Sequence, residues 1–475
     1  MARHYELVVI GCGPAGESAA VMAATFGHSV AVVERDKPGG TVTTTGGAPT
    51  KTLREAALYL TGFRDRDVYG VSVAAPPEIV LPKVAERAKD VCALLQRVIA
   101  DNLARNRVDY VEGAARLGSN HTVQVALSGG VETLTADVIL IATGSRPLRP
   151  ENIPFEDPDV CDSEEIFKLG RVPHSIFIVG GGPVGVEFAT FFAALGAKAT
   201  LSDMADRLLP AMDGEVSRLL AEHFTRIGVQ VIPGVKTHSV TRTDSRLRVT
   251  LSDHTELTPD AVLFAAGRVA NTEGLGVEEA GIQLTRNGRI VVDADYRTSA
   301  DGIYAAGDVV SPSLAAVAME QGRLAVFRAF GLPFRDALHP LAVSAVYGVP
   351  EVAGVGLNEE QCRDQGITYE VGRCDLALTP RGAIAGHGGL LKLIFRRDDR
   401  RLLGVHIIGD MASELVGIGQ MAISNDNPID IFAALTLNTP TYTYAYKYAT
   451  FDGLLRLAES QGGPATLTVL RTTAY

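Results

Sequence analysis

An α/β fold with two related halves and a smaller α+β C-terminal unit is what the sequence predicts, on three observations. An apolar strand from Glu6 to Ile10 runs into Gly11-Cys12-Gly13-Pro14-Ala15-Gly16 and then into a helical stretch that reaches Phe26. The same order recurs downstream. Ser175 to Val179 is the strand, Gly180-Gly181-Gly182-Pro183-Val184-Gly185 the loop, and Val186 to Leu195 the helix. Both copies then close in one way, with a strand that ends in Ala142-Thr143-Gly144 or in Ala265-Ala266-Gly267.

Each element has a physical reason. Glycines are needed where the chain turns sharply from strand to helix and where its backbone must come close to a pyrophosphate. The helix that follows points its positive end at that anion. A second strand, Ser29 to Val33, ends in Glu34, whose carboxylate suits ribose hydroxyls. In the second copy Asp203 takes this place. Gly11 to Glu34 and Gly180 to Asp203 are both 23 residues apart, so two dinucleotide-binding, Rossmann-like units are expected. The stretch from first glycine to closing glycine is 133 residues in the first copy and 87 in the second. The first unit therefore carries an insertion of about 46 residues, beginning near Thr41.

Composition narrows the function classes. The chain has 475 residues, 46% hydrophobic and 21% charged, with a formal net charge of -11. No dense basic stripe exists to neutralise phosphates, so nucleic-acid binding is not expected. Apolar stretches such as Ser18 to Val33 and Val172 to Val186 are too short and too interrupted for membrane insertion. Glu6 and Glu17 break the N-terminal apolar run, which reads as mature protein rather than a signal peptide. The cysteines (Cys12, Cys92, Cys161, Cys362, Cys374) are odd in number and never spaced CxxC, which fits a reducing cytoplasm. Cys92 falls on an apolar helical face with Val91, Leu94, Leu95 and Val98, expected to be core. The histidines form no ligand cluster, and no metal is expected. Prolines at 147, 150, 154 and 158 mark one linker, and Pro333 with His339-Pro340 marks another. The charged turn Arg396 to Arg401 joins two strand patterns in the C-terminal part.

Along essentially its full length the sequence resembles the two-dinucleotide-binding flavoproteins of the pyridine nucleotide-disulfide oxidoreductase family, which include lipoamide dehydrogenase, glutathione reductase and mercuric reductase. The likeness extends beyond both glycine loops to Ala142-Thr143-Gly144-Ser145-Arg146-Pro147 and to Thr298-Ser299-Ala300-Asp301-Gly302-Ile303-Tyr304-Ala305-Ala306-Gly307-Asp308. It implies FAD in the first unit, bound by Gly11, Gly13, Pro14, Ala15, Gly16, Glu34, Gly40, Thr41, Lys51, Thr143, Gly144 and Asp308. Asp308 would meet the flavin ribitol. Leu314 and Ala315 match the start of the family's next helix, opened here by Pro312 and Ser313, whose positive end would face the pyrimidine side of the flavin. In the second unit the likeness implies NAD(P)H, bound by Gly180, Gly182, Pro183, Gly185, Glu187, Asp203 and Gly267. Lys51 and Glu187 are the implied catalytic pair, beside flavin N5. The implied division is a FAD domain at 1–150 and 270–338, an NAD(P) domain at 151–269, and an interface domain at 339–475 that forms a homodimer.

Two features of that family are replaced. Its redox dithiol segment reads Gly39-Gly40-Thr41-Val42-Thr43-Thr44-Thr45-Gly46-Gly47-Ala48-Pro49-Thr50-Lys51, with Val42 and Gly47 at the cysteine positions. Thiol exchange needs a thiolate that neither residue supplies. Its C-terminal His-Pro base is here Thr439-Pro440. Threonine cannot replace an imidazole near neutral pH. The segment Asn438-Thr439-Pro440-Thr441, followed by Ala445-Tyr446-Lys447, is most similar to the soluble pyridine nucleotide transhydrogenases.

The function this implies is hydride transfer from NAD(P)H to FAD and on to a second small-molecule acceptor, another NAD(P)+ being the leading one. An NAD(P)H:quinone or dye reductase is an alternative. A flavin-bound scaffold or redox sensor is a third. Asp203 favours NAD, since a carboxylate repels a 2'-phosphate, and only Arg207 follows it nearby. Tyr442, Tyr444, Tyr446 and Tyr448 read either as dimer-interface packing or as an aromatic wall facing the partner's flavin, with Gly47 enlarging the same cavity.

Overall fold

The computed structural model describes residues 2–62, 66–70, 77–119, 121–244, 246–312, 314–332 and 341–461. Ser313 and the Pro333 and His339-Pro340 linker lie outside the described residues.

The first sheet starts with β1 (Arg3–Ile10), followed by the helix Pro14–Thr25 and β2 (Val30–Glu34). Then come the helices Ala48–Thr61 and Pro77–Arg105 before β3 (Asp109–Glu112), so the inserted residues fall between the second and third strands. Strands β4 (Ala114–Leu117), β5 (Thr122–Leu127) and β6 (Gly130–Ile141) form a meander. Strand β6 returns to lie parallel to β1, with Val8 opposite Ile139 on one side and Ala31 of β2 on the other. Val8, Val9 and Val32 are buried, as expected for a parallel sheet covered on both faces.

The second unit repeats this wiring. After β7 (Ser145–Pro147) and β8 (Val160–Asp162), strand β9 (Ser175–Val179) leads into the helix Pro183–Ala194 and β10 (Lys198–Ser202). The helix Gly214–Arg226, β11 (Gln230–Ile232), a meander of β12 (Thr237–Thr243), β13 (Arg246–Leu251) and β14 (Glu256–Leu257), and then β15 (Ala261–Phe264) follow. The order β11-β10-β9-β15 matches β3-β2-β1-β6. Strand β8 pairs with β15, and in the first sheet β17 (Ile303–Ala305) takes the equivalent place beside β6. Between the units β7 pairs antiparallel with β16 (Arg268–Ala270).

The helix Ala315–Phe330 crosses the first glycine-loop helix at short range. A Cβ on Gly322 would stand 2.9 Å from the carbonyl carbon of Ala15, so position 322 has no room for a side chain.

The last sheet is antiparallel, in the order β18 (Ser344–Val346), β19 (Glu351–Gly356), β22 (Leu402–Gly409), β21 (Leu390–Arg396) and β20 (Tyr369–Asp375). Helices Ala412–Ser424 and Ala445–Ser460 pack on it. Among the described residues no helix is long and apolar enough to cross a membrane.

Cys92 is buried, as expected, while Leu94, Leu95 and Val98 of the same Pro77–Arg105 helix are exposed. One sequence expectation fails here. The tyrosine cluster does not form one wall. Tyr446 is fully buried, donating to the Leu415 carbonyl at 2.8 Å and accepting from the Gly419 N–H at 3.1 Å. Tyr442 is buried too, and only Tyr444 and Tyr448 form a half-buried, edge-on pair with ring centroids 5.1 Å apart. Helical spacing of about 100° per residue rotates alternate tyrosines to different sides.

Candidate active site

The two glycine loops are built alike. Gly11 and Gly180 have φ of +101° and +114°, in the region that favours glycine. A Cβ on Gly180 would stand 2.6 Å from the carbonyl oxygen of Ala265, and one on Gly11 would overlap the carbonyl of Ala142. The closing Ala-x-Gly segments are thus the surfaces against which the first glycines turn. Gly16 and Gly185 let the helix start touch the carbonyls of Gly11 and Gly180. A Cβ on Gly182 would enter open space, and one on Gly13 would meet only the Gly40 Cα at 4.0 Å. Pro14 and Pro183 open the helices. Each loop therefore offers bare backbone at a helix N-terminus, a cradle that fits the pyrophosphate of a dinucleotide.

The acids are held identically. Glu34 accepts from the Cys12 N–H at 2.7 Å and the Asp36 N–H at 2.9 Å. Asp203 accepts from the Gly181 N–H at 2.5 Å and the Ala205 N–H at 2.7 Å. One oxygen of each carboxylate thereby ties the acid to its glycine loop, and each oxygen keeps a lone pair for a ribose hydroxyl.

Asp308 follows β17, after Gly307 at φ +81°. It accepts from the Ser145 hydroxyl at 2.6 Å. Arg268 donates to the same hydroxyl at 2.8 Å and to Glu164 at 2.8 Å, while Arg289 donates to the Asp308 carbonyl at 2.5 Å. Thr143 and Asn271 exchange two hydrogen bonds at 2.8 and 2.9 Å, which fix the Gly144 turn beside them. Gly267, at φ +131°, closes the second copy next to Arg268. Leu314 caps the Ala315–Phe330 helix with its backbone alone, and Leu314 and Ala315 are exposed at its positive end. Sequence reasoning missed Ser145, Arg268, Arg289 and Asn271: Ser145 meets Asp308, Arg268 meets Ser145 and Asn271 meets Thr143 from more than a hundred residues away, and Arg289 reaches Asp308 from 19 residues upstream.

A third set lies where the first unit meets the second. Gly40 packs on the first loop, its missing Cβ leaving 3.0 Å to the Gly13 Cα, and Thr41 opens the short helix Thr41–Thr44. The helix Ala48–Thr61 then presents Lys51, whose Nζ bonds Glu187 Oε2 at 3.0 Å and Oε1 at 3.2 Å. The carboxylate is buried and also accepts from the Tyr347 N–H at 2.9 Å. Lys51 lies 4.9 Å from the Tyr347 ring centroid, a cation–π contact. One turn on, the buried Arg54 bonds Glu351 at 2.9 Å, and Glu351 accepts from the Ser413 hydroxyl at 2.8 Å. This second pair, absent from the sequence reading, pins the Lys51 helix to the last sheet.

Positions 42 and 47 face each other. A Cβ on Gly47 would stand 2.6 Å from the Val42 carbonyl oxygen and 2.7 Å from its Cα. The expected enlargement of a cavity by Gly47 is therefore wrong, since Val42 backbone fills the space. All five cysteines are free and buried. Burial, with the Glu34 charge adding to it, pushes the Cys12 thiol up to about 12, and burial likewise pushes Cys161 and Cys374 to about 12.

Comparison with known proteins agrees with this architecture. The family described as "Pyridine nucleotide-disulphide oxidoreductase" matches residues 5–322, and its dimerisation domain matches 342–450. The chain is 40% identical over 455 residues to the soluble pyridine nucleotide transhydrogenase of Mycobacterium bovis, covering 95% of this chain and 97% of that one. It is 36% identical over 462 residues to the protein of that name from Marinomonas, covering 96% and 99%. Among solved structures, LpdA from Mycobacterium tuberculosis superposes with a TM-score of 0.87 at 28% identity, covering 94% of this chain and 99% of that one. The copper(II) complex of the HOCl-induced flavoprotein disulfide reductase RclA from Escherichia coli gives 0.85 at 28%, covering 95% and 99%. The chain belongs to the pyridine nucleotide-disulphide oxidoreductase family, as a flavin-dependent oxidoreductase that uses FAD and NAD(P)H.

Proposed function

We propose that the protein is a dithiol-free oxidoreductase that moves hydride between nicotinamide nucleotides, a transhydrogenase. The observation that carries this reading is the pairing of an intact Lys51–Glu187 ion pair with valine and glycine backbones packed together at 42 and 47. FAD and NAD(P)H, when bound, supply hydride chemistry between nicotinamide C4 and flavin N5. We assign the FAD unit to residues 1–150 and 270–338, the nicotinamide unit to 151–269, and the interface unit to 339–475.

The chain's own contribution is binding and electrostatics. Gly11, Gly13 and Gly16 take one pyrophosphate and Gly180, Gly182 and Gly185 the other, with Glu34 and Asp203 on the two riboses. Asp308, oriented by Ser145, holds the ribitol. Lys51 supplies a fixed positive charge, because two oxygens of a buried carboxylate restrain it. Transfer of hydride from one nicotinamide to another has no net proton, so threonine in place of the imidazole at 439 removes nothing this reaction needs.

The quinone-reductase alternative needs open space at Gly47, and a Cβ there would stand 2.6 Å from the Val42 carbonyl oxygen, which favours the first reading. The scaffold alternative sits poorly with an intact Lys51–Glu187 pair. Exposed Leu435, Met421 and Phe451 on the last unit support a homodimer. Buried, unpaired thiols suit a reducing cytoplasm.

The test is steady-state reduction of thio-NAD+ by NADH or NADPH with FAD-loaded protein, beside a soluble quinone as competing acceptor. Turnover of the thionicotinamide supports the proposal; turnover of quinone alone refutes it.

A further inference from the structure

The segment from Asp203 to Asp213 runs from the acid of the second glycine loop to the N-cap of the Gly214–Arg226 helix, where Asp213 accepts from the Glu215 and Val216 N–H groups. Arg207 is its only basic residue. The Leu209 N–H donates to the Gly181 carbonyl at 2.9 Å, so this segment rides directly on the loop.

Arg207 is already engaged. Its Nη1 lies 2.5 Å from Glu360 Oε1 and its Nη2 2.6 Å from Oε2, a two-pronged pair, and Nη2 also donates to the Pro210 carbonyl at 3.0 Å. Glu360 belongs to the last unit, in the first turn of the helix Glu359–Asp364. The place for the pair is built. A Cβ on Gly214 would stand 2.9 Å from Glu360 Oε1 and 3.2 Å from Arg207 Nη1, so the missing side chain leaves the room the pair occupies. The other cations along this border have partners too. Lys392 bonds both oxygens of Asp213 at 2.9 and 3.0 Å, and Arg373 bonds Glu215 at 3.0 Å.

A 2'-phosphate at the Asp203 ribose needs a cation to offset repulsion from that carboxylate. We propose that Glu360, a residue of the interface unit, is a specificity determinant of the second nucleotide site: it holds the segment's one guanidinium against the last unit, and so favours NAD(H) over NADP(H). This rests on the assignment of the second loop to the nicotinamide nucleotide. Glu360 acts through Arg207 and is a positioning residue.

The experiment measures KM and kcat for NADH and NADPH with the FAD-loaded full chain, as wild type, Glu360→Gln, Glu360→Ala and the double variant Glu360→Gln with Arg207→Met. Either Glu360 variant lowers the ratio of NADPH KM to NADH KM about fivefold, chiefly through KM rather than kcat. Removing Arg207 in the double variant returns the ratio to the wild-type value. A ratio that stays within about twofold of wild type in both flavin-replete Glu360 variants overturns the proposal. A merely structural role for the pair would move both nucleotides together and leave the ratio alone. If neither nucleotide bleaches the wild-type flavin, the second-site assignment falls and takes this proposal with it, a failure distinct from an unmoved ratio.

Discussion

The Lys51 ammonium bonds both carboxylate oxygens of Glu187, at 3.0 and 3.2 Å, across the boundary between the first unit and the second. Lys51 is part exposed while Glu187 is buried, so the acid is the fixed member and the lysine is positioned by it. Replacing Lys51 by Met removes a charge the proposed reaction uses, and the rate of flavin bleaching by NADH drops about tenfold or more, equivalent to ~1.4 kcal/mol. Stopped-flow absorbance reads this. Glu187→Gln keeps the lysine but loosens it, and gives a smaller loss in the same assay.

Position 47 has no room for a side chain, because the Val42 backbone stands where a Cβ would go. Gly47→Ala therefore costs about 1–3 kcal/mol of stability through overpacking. Thermal unfolding of FAD-loaded protein checks this, with a lowered Tm expected. A Val42→Cys and Gly47→Cys pair meets the same obstacle, and formation of a dithiol there requires that segment to shift.

Thiols play no part in turnover on this account. Burial raises all five, with Cys12, Cys161 and Cys374 at about 12, so each stays protonated and inert near neutral pH. A thiol-specific disulfide reagent titrates fewer than one cysteine per native chain within minutes and all five after denaturation. Arsenite, which captures paired thiols, leaves activity unchanged.

The border between the second unit and the last carries a buried ionic cluster around Lys392, whose side chain is 1% exposed beside Asp213 at 2%. Lys392→Met strands the Asp213 carboxylate and costs about 3–5 kcal/mol, read as a lower Tm. Burial raises the Asp213 carboxyl, but His406, Lys392 and the helix N–H groups outweigh it and leave it below its ordinary value. Its stabilising contribution is present above about pH 4 and disappears as pH falls through that lowered value.

Acid sensitivity begins earlier than that, through His223. Burial, with Arg226 adding to it, lowers this imidazole to about 4. The unfolded chain binds that proton near pH 6.5, so its contribution to stability is full above about 6.5 and declines as pH falls towards 4. A Tm series between those values falls for the wild type and falls less for His223→Gln.

How much of this was legible in the sequence depends on whether a constraint is local. Gly11 and Gly180 could be read because a strand-to-helix turn leaves few residue choices within six positions, and the acids could be read from their spacing. The backbone bonds that lock Glu34 and Asp203 to their loops follow from that local geometry. Ser145 on Asp308, and Arg54 on Glu351, are long-range meetings that no periodicity announces. The empty space expected at Gly47 was misjudged for a related reason. A sequence shows that a side chain is missing but not that another backbone, here that of Val42, has moved into its place. The tyrosines misled differently, because their every-second-residue spacing looks like one face until a helix rotates Tyr446 into the core and leaves Tyr448 half-buried at its margin.

The central claim is that the flavin is the sole redox centre, and an anaerobic titration of FAD-loaded protein with a chemical reductant tests it most directly. Flavin absorbance that bleaches fully after one two-electron equivalent per chain is the predicted result. A requirement for two equivalents, with a long-wavelength charge-transfer band at the midpoint, would reveal a second two-electron centre and contradict the account.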